Sequence, residues 1–194
     1  MQNVAVTVRP FEISSGVYSR FKPRVRGVQQ IQATAFGAFA AILADGHVVT
    51  WGHEFYGSDN SAVRDQLTGV RQIQATEMAF AAILEDGSIV TWGIAEYGGD
   101  SSAVRDQLKG VQQIQATHSA FAAILADGSV VTWGDANTGG DSSAVRDQLK
   151  GVQKIQATLD GAFAAILEDG SVVTWGCADS GGDSSAVRNE LTLS

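Results

Sequence analysis

Hydrophobic and polar positions follow one pattern that repeats four times between residues 28 and 194. In the third copy, a mixed segment at residues 111–117 precedes a continuous apolar run at residues 121–125, and a second apolar segment follows at residues 130–133. Short runs of β-branched and aromatic residues bounded by turn residues are typical of strands. Each copy therefore predicts three strands, of which the second is buried on both faces.

An Asp-Gly pair separates the second and third predicted strands in every copy. Asp-Gly between two β-prone runs is a strong hairpin signal, because glycine accepts the positive φ that a tight turn requires. The predicted turn glycines are Gly46, Gly87, Gly128 and Gly170.

A polar segment after the third strand predicts a short helix, residues 141–149 in the third copy. An Asp or Ser at its start caps the free N–H groups of the first turn, and Val145 and Leu149 lie four residues apart on one face. An extended fourth strand is the alternative. Each unit is thus β-β-β-α, and the predicted capping residues are Asp100, Asp141 and Asp183.

A Trp-Gly pair closes the third strand of each copy, at spacings of 41, 41 and 42 residues. Such a period indicates tandem units, here approximately residues 28–68, 69–109, 110–150 and 151–194. A three-stranded unit cannot bury its own face, so neighbouring units must stack to complete the core. The tryptophans predicted to fill the gaps between units are Trp51, Trp92, Trp133 and Trp175. An exposed aromatic row that binds a ligand is the alternative.

Residues 1–27 do not follow the repeat and form a separate N-terminal segment. Residues 3–8 alternate like a strand and are expected to cap or close the array, since terminal units need protection. The segment carries five Arg or Lys residues and one Glu, a net charge of +4, whereas the whole chain carries −8. The remaining residues therefore form an acidic body, which argues against a nucleic-acid phosphate track.

The repeat motif resembles that of the regulator-of-chromosome-condensation family over residues 28–194. The resemblance is carried by Val-x-x-Ile, then Phe-x-Ala-Ile-Leu-x-Asp-Gly-x-Val-x-Thr-Trp-Gly, and best by residues 127–134 and their copies. It implies a mainly β fold, a small β-propeller-like array, with an open arc or solenoid of stacked three-stranded sheets as the alternative. Family members include nucleotide exchange factors and modules of ubiquitin ligases.

Three departures from the family pattern limit what the resemblance implies about function. Residues 116–119, Ala-Thr-His-Ser, replace the family's Gly-x-x-His, and residues 139–142, Gly-Gly-Asp-Ser, replace its Gly-Gln-Leu-Gly. The chain also has four units where the family usually has seven. Exchange activity is therefore not carried over, whereas the scaffold and its use in protein binding are.

Differences among the four copies concentrate after the Ala-Thr pair and after the Trp-Gly pair. In an antiparallel three-stranded unit these two loops lie at the same edge, and loops on a rigid scaffold often carry binding residues. We predict that this edge contacts a protein partner, because aromatic and Met anchors among acidic groups suit such a surface. The candidate contact residues are Phe36, His53, Phe55, Tyr56, Met78, Ile94, Tyr97, His118, Asn137 and Leu159.

The residues that carry chemistry are few and scattered. The three histidines, His47, His53 and His118, have no partners at metal-ligand spacing, and Cys177 has no counterpart in the other units. The Gly-Gly-Asp-Ser-Ser motif offers one carboxylate, too few for calcium. We therefore expect no catalytic residue, metal or cofactor.

The expected function is a non-catalytic protein-interaction scaffold or accessory subunit. A structural, self-associating repeat protein is the alternative, and an exchange-factor-like or ubiquitin-ligase-associated module is a distant one. No apolar run reaches the length of a membrane span. The single cysteine and the lack of a secretory apolar stretch favour an intracellular protein, with an organelle left open.

Overall fold

A computed structural model describes residues 27–191 as four antiparallel sheets of three strands each. The strands are β1 (Val28–Ala33), β2 (Ala38–Leu43), β3 (Val48–Gly52), β4 (Val70–Ala75), β5 (Ala79–Leu84), β6 (Ile89–Gly93), β7 (Val111–Ala116), β8 (Ala120–Leu125), β9 (Val130–Gly134), β10 (Val152–Ala157), β11 (Ala162–Leu167) and β12 (Val172–Gly176). The prediction of a mainly β array of three-stranded units is confirmed. The strand predicted over residues 3–8, and the cap segment up to residue 26, lie outside the described residues.

The central strand of each sheet pairs with both neighbours in the same register. Phe80 of β5 lies directly opposite Trp92 of β6, and their rings stack with centroids 5.2 Å apart. The same stacked Phe–Trp pair recurs in the other three sheets. Side chains alternate between the two faces of a strand, so this register places the aromatic pair on one face and small Ala residues on the other.

The Asp-Gly pair forms the predicted hairpin turn, and its glycine also contacts the start of the next sheet. In the second sheet, Leu84 N donates to Ser88 O at 3.0 Å and Gly87 N donates to Leu84 O at 3.0 Å, leaving a three-residue loop with Gly87 at φ 79°. A three-residue hairpin that ends in a left-handed glycine is a common form. A Cβ on Gly87 would lie 2.9 Å from Gly110 Cα, so this glycine also lets the next sheet begin against the turn.

The linkers predicted as short α-helices are 3-10 segments instead. These segments are Arg64–Gln66, Ser102–Val104, Ser143–Gln148 and Ser185–Val187, and only the last continues into a four-residue helix, α1 (Arg188–Leu191). In the third unit Leu149 N donates to Arg146 O at 3.2 Å, the i to i+3 bond of a 3-10 helix. Leu149 leaves helical geometry, at ψ 64°, because its side chain turns inward and is 3% exposed.

The predicted caps are Asx turns one residue earlier than the formal cap position. Asp141 Oδ1 accepts from Ser143 N at 2.8 Å, while the cap position belongs to Ser142. The Ser142 hydroxyl accepts a hydrogen bond from the Thr132 hydroxyl at 3.1 Å, which ties the linker to β9. Asp100 and Asp183 make the same 2.8 Å contact in their units.

The hydrophobic core lies between consecutive sheets, in three clusters of the same design. In each cluster the aromatic face of one sheet packs on the Ala and Ile residues of the preceding sheet. Phe121 and Trp133, for example, pack on Ala81 and Ile83. The central strands of the two middle sheets are thus buried on both faces, as their continuous apolar runs predicted.

The two end faces of the array are left uncovered by the described residues, so the array is an open arc. We call the aromatic face of the first sheet the head face; it consists of Val28, Ile31, Phe39, Val49 and Trp51. We call the opposite face of the last sheet, with Ala164, Ile166, Val172 and Val187, the tail face. Trp51 therefore differs from the other three tryptophans: it is 45% exposed, because no sheet precedes it among the described residues.

Candidate protein-binding edge

The two variable loops of each unit meet at one edge of the array, opposite the Asp-Gly turns. A backbone hydrogen bond joins them in every unit. Ile94 N donates to Met78 O at 3.0 Å, and the equivalent bonds of the other units measure 2.9–3.0 Å. We call this surface the loop edge; it comprises residues 35–37, 53–56, 77–78, 94–97, 118–119, 135–138, 159–161 and 177–180.

A threonine hydroxyl accepts a backbone hydrogen bond within the first loop of every unit, and in the second, third and fourth units it also donates to the second loop. In the third unit the Thr117 hydroxyl accepts from Ala120 N at 3.0 Å and donates to Thr138 O at 3.1 Å. The side chain is 2% exposed. Sequence reasoning did not identify this role, although the Ala-Thr pair is identical in all four copies. That identity beside variable loops was the available signal.

A cavity of about 580 Å³ opens at the loop edge, where the ends of the four first strands converge. Residues of all four units line it, among them Thr34, Ala35, Glu77, His118, Leu159 and Asp160. Backbone bonds connect neighbouring loops around it: Glu77 N donates to His118 O at 2.8 Å, and His118 N donates to Leu159 O at 3.1 Å.

His118 is tied to this ring of loops through its side chain as well. Its Nδ1 lies 2.8 Å from the Leu159 carbonyl oxygen, and since a carbonyl only accepts, Nδ1 carries the proton. The imidazole is therefore oriented by the scaffold. The lining of the cavity combines the oriented His118 imidazole with the carboxylates of Glu77 and Asp160 and with the apolar Leu159 side chain, which is 82% exposed.

An aromatic cluster formed by Phe36, His53, Phe55 and Tyr56 lies at the loop edge of the first unit. Phe36 and Tyr56 have ring centroids 5.4 Å apart, and His53 and Tyr56 have centroids 4.3 Å apart. Phe55 is 75% exposed, whereas Tyr56 packs partly against the first inter-sheet core. Phe55 is therefore the ring most open to a partner.

The remaining candidate contact residues are divided between surface and scaffold. Tyr97 packs against the second inter-sheet core, and Met78 and Ile94 are half-buried. Asn137 is exposed, and its backbone N–H donates to Asp135 Oδ1 at 2.7 Å. The structure thus brings all ten residues to one edge but exposes them unequally.

The carboxylates whose pKa is lowered lie away from the loop edge, at the turns and linkers. The Ser129 hydroxyl and backbone N–H hold the pKa of Asp127 below its ordinary value, and Asp86 and Asp169 are alike. In the linkers, the Ser143 backbone N–H lowers the pKa of Asp141. These shifts reflect local turn hydrogen bonds and identify structural carboxylates.

Metal-binding and membrane features are not found in residues 27–191. These residues contain no cluster of three or more His, Cys, Asp or Glu side chains placed to hold a metal ion. Cys177 is a half-buried free thiol. Within the same range no helix has the length and apolar character that crossing a bilayer requires.

The fold is similar to that of solved propeller proteins. Prp20p of Saccharomyces cerevisiae, the yeast RCC1, matches with a TM-score of 0.56 at 16% identity, over 80% of this chain and 47% of that one. Human WBSCR16 matches with a TM-score of 0.53 at 18% identity, over 77% of this chain and 47% of that one. The ectodomain of the Arabidopsis thaliana receptor kinase ACR4 matches at 0.53 and 16% identity, over 78% and 53%.

These matches show that the predicted resemblance to regulator-of-chromosome-condensation repeats holds for the fold. The chain spans about half the length of the solved chains it matches. No family model and no curated protein matches the sequence. Prp20 has been solved bound to Kap60, and its binding to Gsp1p and histones has been described.

Proposed function

We propose that the chain is a non-catalytic protein-interaction scaffold that binds its partner at the loop edge. One observation carries the proposal: the variable loops that follow the first strands of all four units converge around one cavity, and the variable loops that follow the third strands are hydrogen-bonded to them at the same edge. Leu159, which is 82% exposed, lines the cavity with the carboxylates of Glu77 and Asp160, and Phe55, which is 75% exposed, lies on the loop that follows the third strand of the first unit.

The chemistry of this edge favours a partner segment that combines apolar and basic side chains. Large exposed apolar groups supply the contact area that dominates interface energies, and they lie here on a rigid backbone, which lowers the entropic cost of binding. The acidic lining of the cavity attracts an Arg or Lys side chain. The protein partners of Prp20 support this class of function, although nothing about their identity is carried over.

A peptide-display selection tests the proposal directly. The immobilised chain is offered a library of random peptides, and we expect enriched sequences to contain Arg or Lys near apolar residues. Binding of these peptides should fall at least about tenfold in a variant with Phe55→Ser and Leu159→Ser, because such anchors contribute more than about 1 kcal/mol each. The control is Ala103→Ser, an exposed position on a linker.

A second variant, with Glu77→Gln and Asp160→Asn, separates the charge contribution from the apolar one. We expect it to reduce the preference for basic peptides and to weaken the dependence of binding on salt. Enrichment of the same peptides by wild type and by the Phe55→Ser, Leu159→Ser variant would show that the loop edge is not the binding surface.

A further inference from the structure

The three junctions between sheets are built from the same parts in the same places. Each buries five side chains of the following sheet, which are the positional equivalents of the head face. Taking the third sheet as the example, Val111, Ile114 and Phe121 are fully buried, and Val131 and Trp133 are 6% and 4% exposed. The second and fourth sheets bury the same five positions to 8% exposure or less.

The head face carries the same five residue positions, but they are uncovered by the described residues. Val28, Ile31, Phe39, Val49 and Trp51 are 37–55% exposed. The tail face is uncovered because no sheet follows it among the described residues. Ile166 is 40% exposed, whereas its equivalents Ile42, Ile83 and Ile124 are 1%, 0% and 6% exposed. The array therefore ends in two unlike apolar faces, each of which is one half of the internal junction.

Two hydrogen bonds accompany the apolar contact at each internal junction. The tryptophan Nε1 donates to a glycine carbonyl of the preceding unit: Trp133 donates to Gly98 O at 3.0 Å, and the equivalent bonds measure 2.9 and 3.1 Å. The backbone N–H of the first residue of each sheet donates to the carbonyl of the turn glycine in the preceding sheet, as Val111 N does to Gly87 O at 2.9 Å.

The unpaired members of these bonds lie on opposite ends of the arc. The equivalent donors on the head are Val28 N and Trp51 Nε1, and neither has this partner within residues 27–191. The equivalent acceptors on the tail are the carbonyls of Gly170 and Gly181, and they too lack these donors in that range. Donors and acceptors thus match in kind and position.

The tail also has a position next to a glycine that an aromatic ring fills at the internal junctions but that the described residues leave unfilled. At each internal junction a Phe ring packs against a glycine. A Cβ on Gly98 would lie 2.6 Å from Phe121 Cδ2, and Phe rings pack against Gly57 and Gly139 in the same way. The equivalent glycine of the last unit, Gly181, has no atom of residues 27–191 within 4 Å of that position. Phe39 of the head face is the positional equivalent of Phe80, Phe121 and Phe163, whose rings fill the other three positions.

We propose that the head face of one chain docks on the tail face of a second copy of this chain, and that two copies close into one ring of eight sheets. The interface is heterologous, and such contacts give either closed rings or open filaments. A closed pair satisfies both ends at once and repeats the internal junction twice. The chain also spans about half of the propeller chains that it matches in fold.

One residue makes the contact between copies weaker than the first internal junction. At the first junction the Gln30 amide donates to Ile73 O at 2.9 Å and accepts from Ile73 N at 3.1 Å. The equivalent residue of the last unit is Lys154, whose ammonium group only donates. A second copy's Ile31 would therefore receive one of these two bonds, which fits a pair that assembles reversibly.

Light scattering after size-exclusion chromatography measures the association. We expect a particle of twice the 20.3 kDa chain mass at micromolar concentration, dissociating on dilution. Ile166→Glu on the tail and Trp51→Glu on the head should each shift the particle to the mass of one chain, because each places a charge in an apolar contact. Ala103→Glu adds the same charge at an exposed linker position and should leave the pair intact.

Tryptophan fluorescence provides a readout that does not depend on particle size. Dilution of wild type should expose Trp51 and shift emission to the red, and the shift should disappear in Ile166→Glu. A chain that stays monomeric at every concentration overturns the proposal, and so does a pair that survives Ile166→Glu. A monomer whose Trp51 emission is that of a buried indole would identify residues 1–26 as the cover of the head face. Peptide binding at the loop edge is measured separately, so its failure is distinguishable.

Discussion

The sharpest test of the junction design compares two tryptophans that occupy the same position of the repeat. Trp133 is 4% exposed, stacks on Phe121 and donates its indole N–H to Gly98 O at 3.0 Å. Trp51 stacks on Phe39 in the same way but is 45% exposed on the head face. Replacing each by Ala removes the same side chain from the same local sequence, so any difference in stability reports the neighbouring sheet.

The structure sets the expected magnitudes. Truncation of a buried Trp to Ala costs about 3–5 kcal/mol, and Trp133→Ala also leaves the Gly98 carbonyl without its donor. Trp51→Ala removes about half as much buried surface, worth roughly 1 kcal/mol, and one stacked pair, worth about 0.5–1.5 kcal/mol. We therefore expect Trp133→Ala to lower the free energy of unfolding by about 2 kcal/mol more than Trp51→Ala.

Urea unfolding, followed by far-ultraviolet circular dichroism and by fluorescence, measures both values. Both variants are made in the Ile166→Glu background, so that association of two copies does not add to the apparent stability. Two probes are needed because repeat arrays unfold in steps when a junction is weakened. Equal losses for Trp133→Ala and Trp51→Ala would refute the reasoning, because they would mean that the neighbouring sheet contributes nothing to the burial of Trp133.

Three further predictions concern the turns and loops. Gly98→Ala, whose Cβ would lie 2.6 Å from Phe121 Cδ2, should lower the melting temperature below that of Gly181→Ala in the monomeric background, since both glycines have positive φ and only the first is crowded. Asp127→Asn should destabilise the chain at pH 7, as measured by urea midpoints. The pKa of Asp127 is lower in the folded chain than its unfolded value of about 3.9, so the ionised carboxylate stabilises the fold at pH values above that. The difference in stability between wild type and Asp127→Asn should therefore vanish as the pH falls through the folded pKa. Thr117→Val should cost about 1–3 kcal/mol in the same assay, because two backbone groups lose their partner inside the fold.

The near-identity of the four units separates scaffold from candidate site within one chain. The threonine of the Ala-Thr pair and the turn glycines recur because every unit has the same threonine-bonded loop and the same hairpin turn. The loops that differ after the first strands surround the cavity at the loop edge, and those that differ after the third strands are hydrogen-bonded to them. Comparing the copies therefore located the candidate surface from sequence, but not which of its side chains are available. Phe55 is 75% exposed, whereas the adjacent Tyr56 packs partly on the core.

Features that depend on a few neighbouring residues were predictable from the sequence. The Asp-Gly turns form where expected because only glycine accepts positive φ without strain, as at Gly87, and the apolar runs form the central strands. The linker was predicted less well. Its residues suit a helix locally, but Leu149 must turn into the junction, so the segment ends as a 3-10 turn.

The sequence alone determined the repeat, its three strands, its turns and the loops that differ, because hairpin chemistry and strand periodicity act over a few residues. It did not determine which copies of a motif are buried. Trp51 and Trp133 share the local sequence Val-Thr-Trp-Gly, yet one is exposed and the other is enclosed. Only the tertiary structure decides this, because burial depends on whether another sheet packs against that face. The same reason leaves one unpaired half of a junction at each end of the arc.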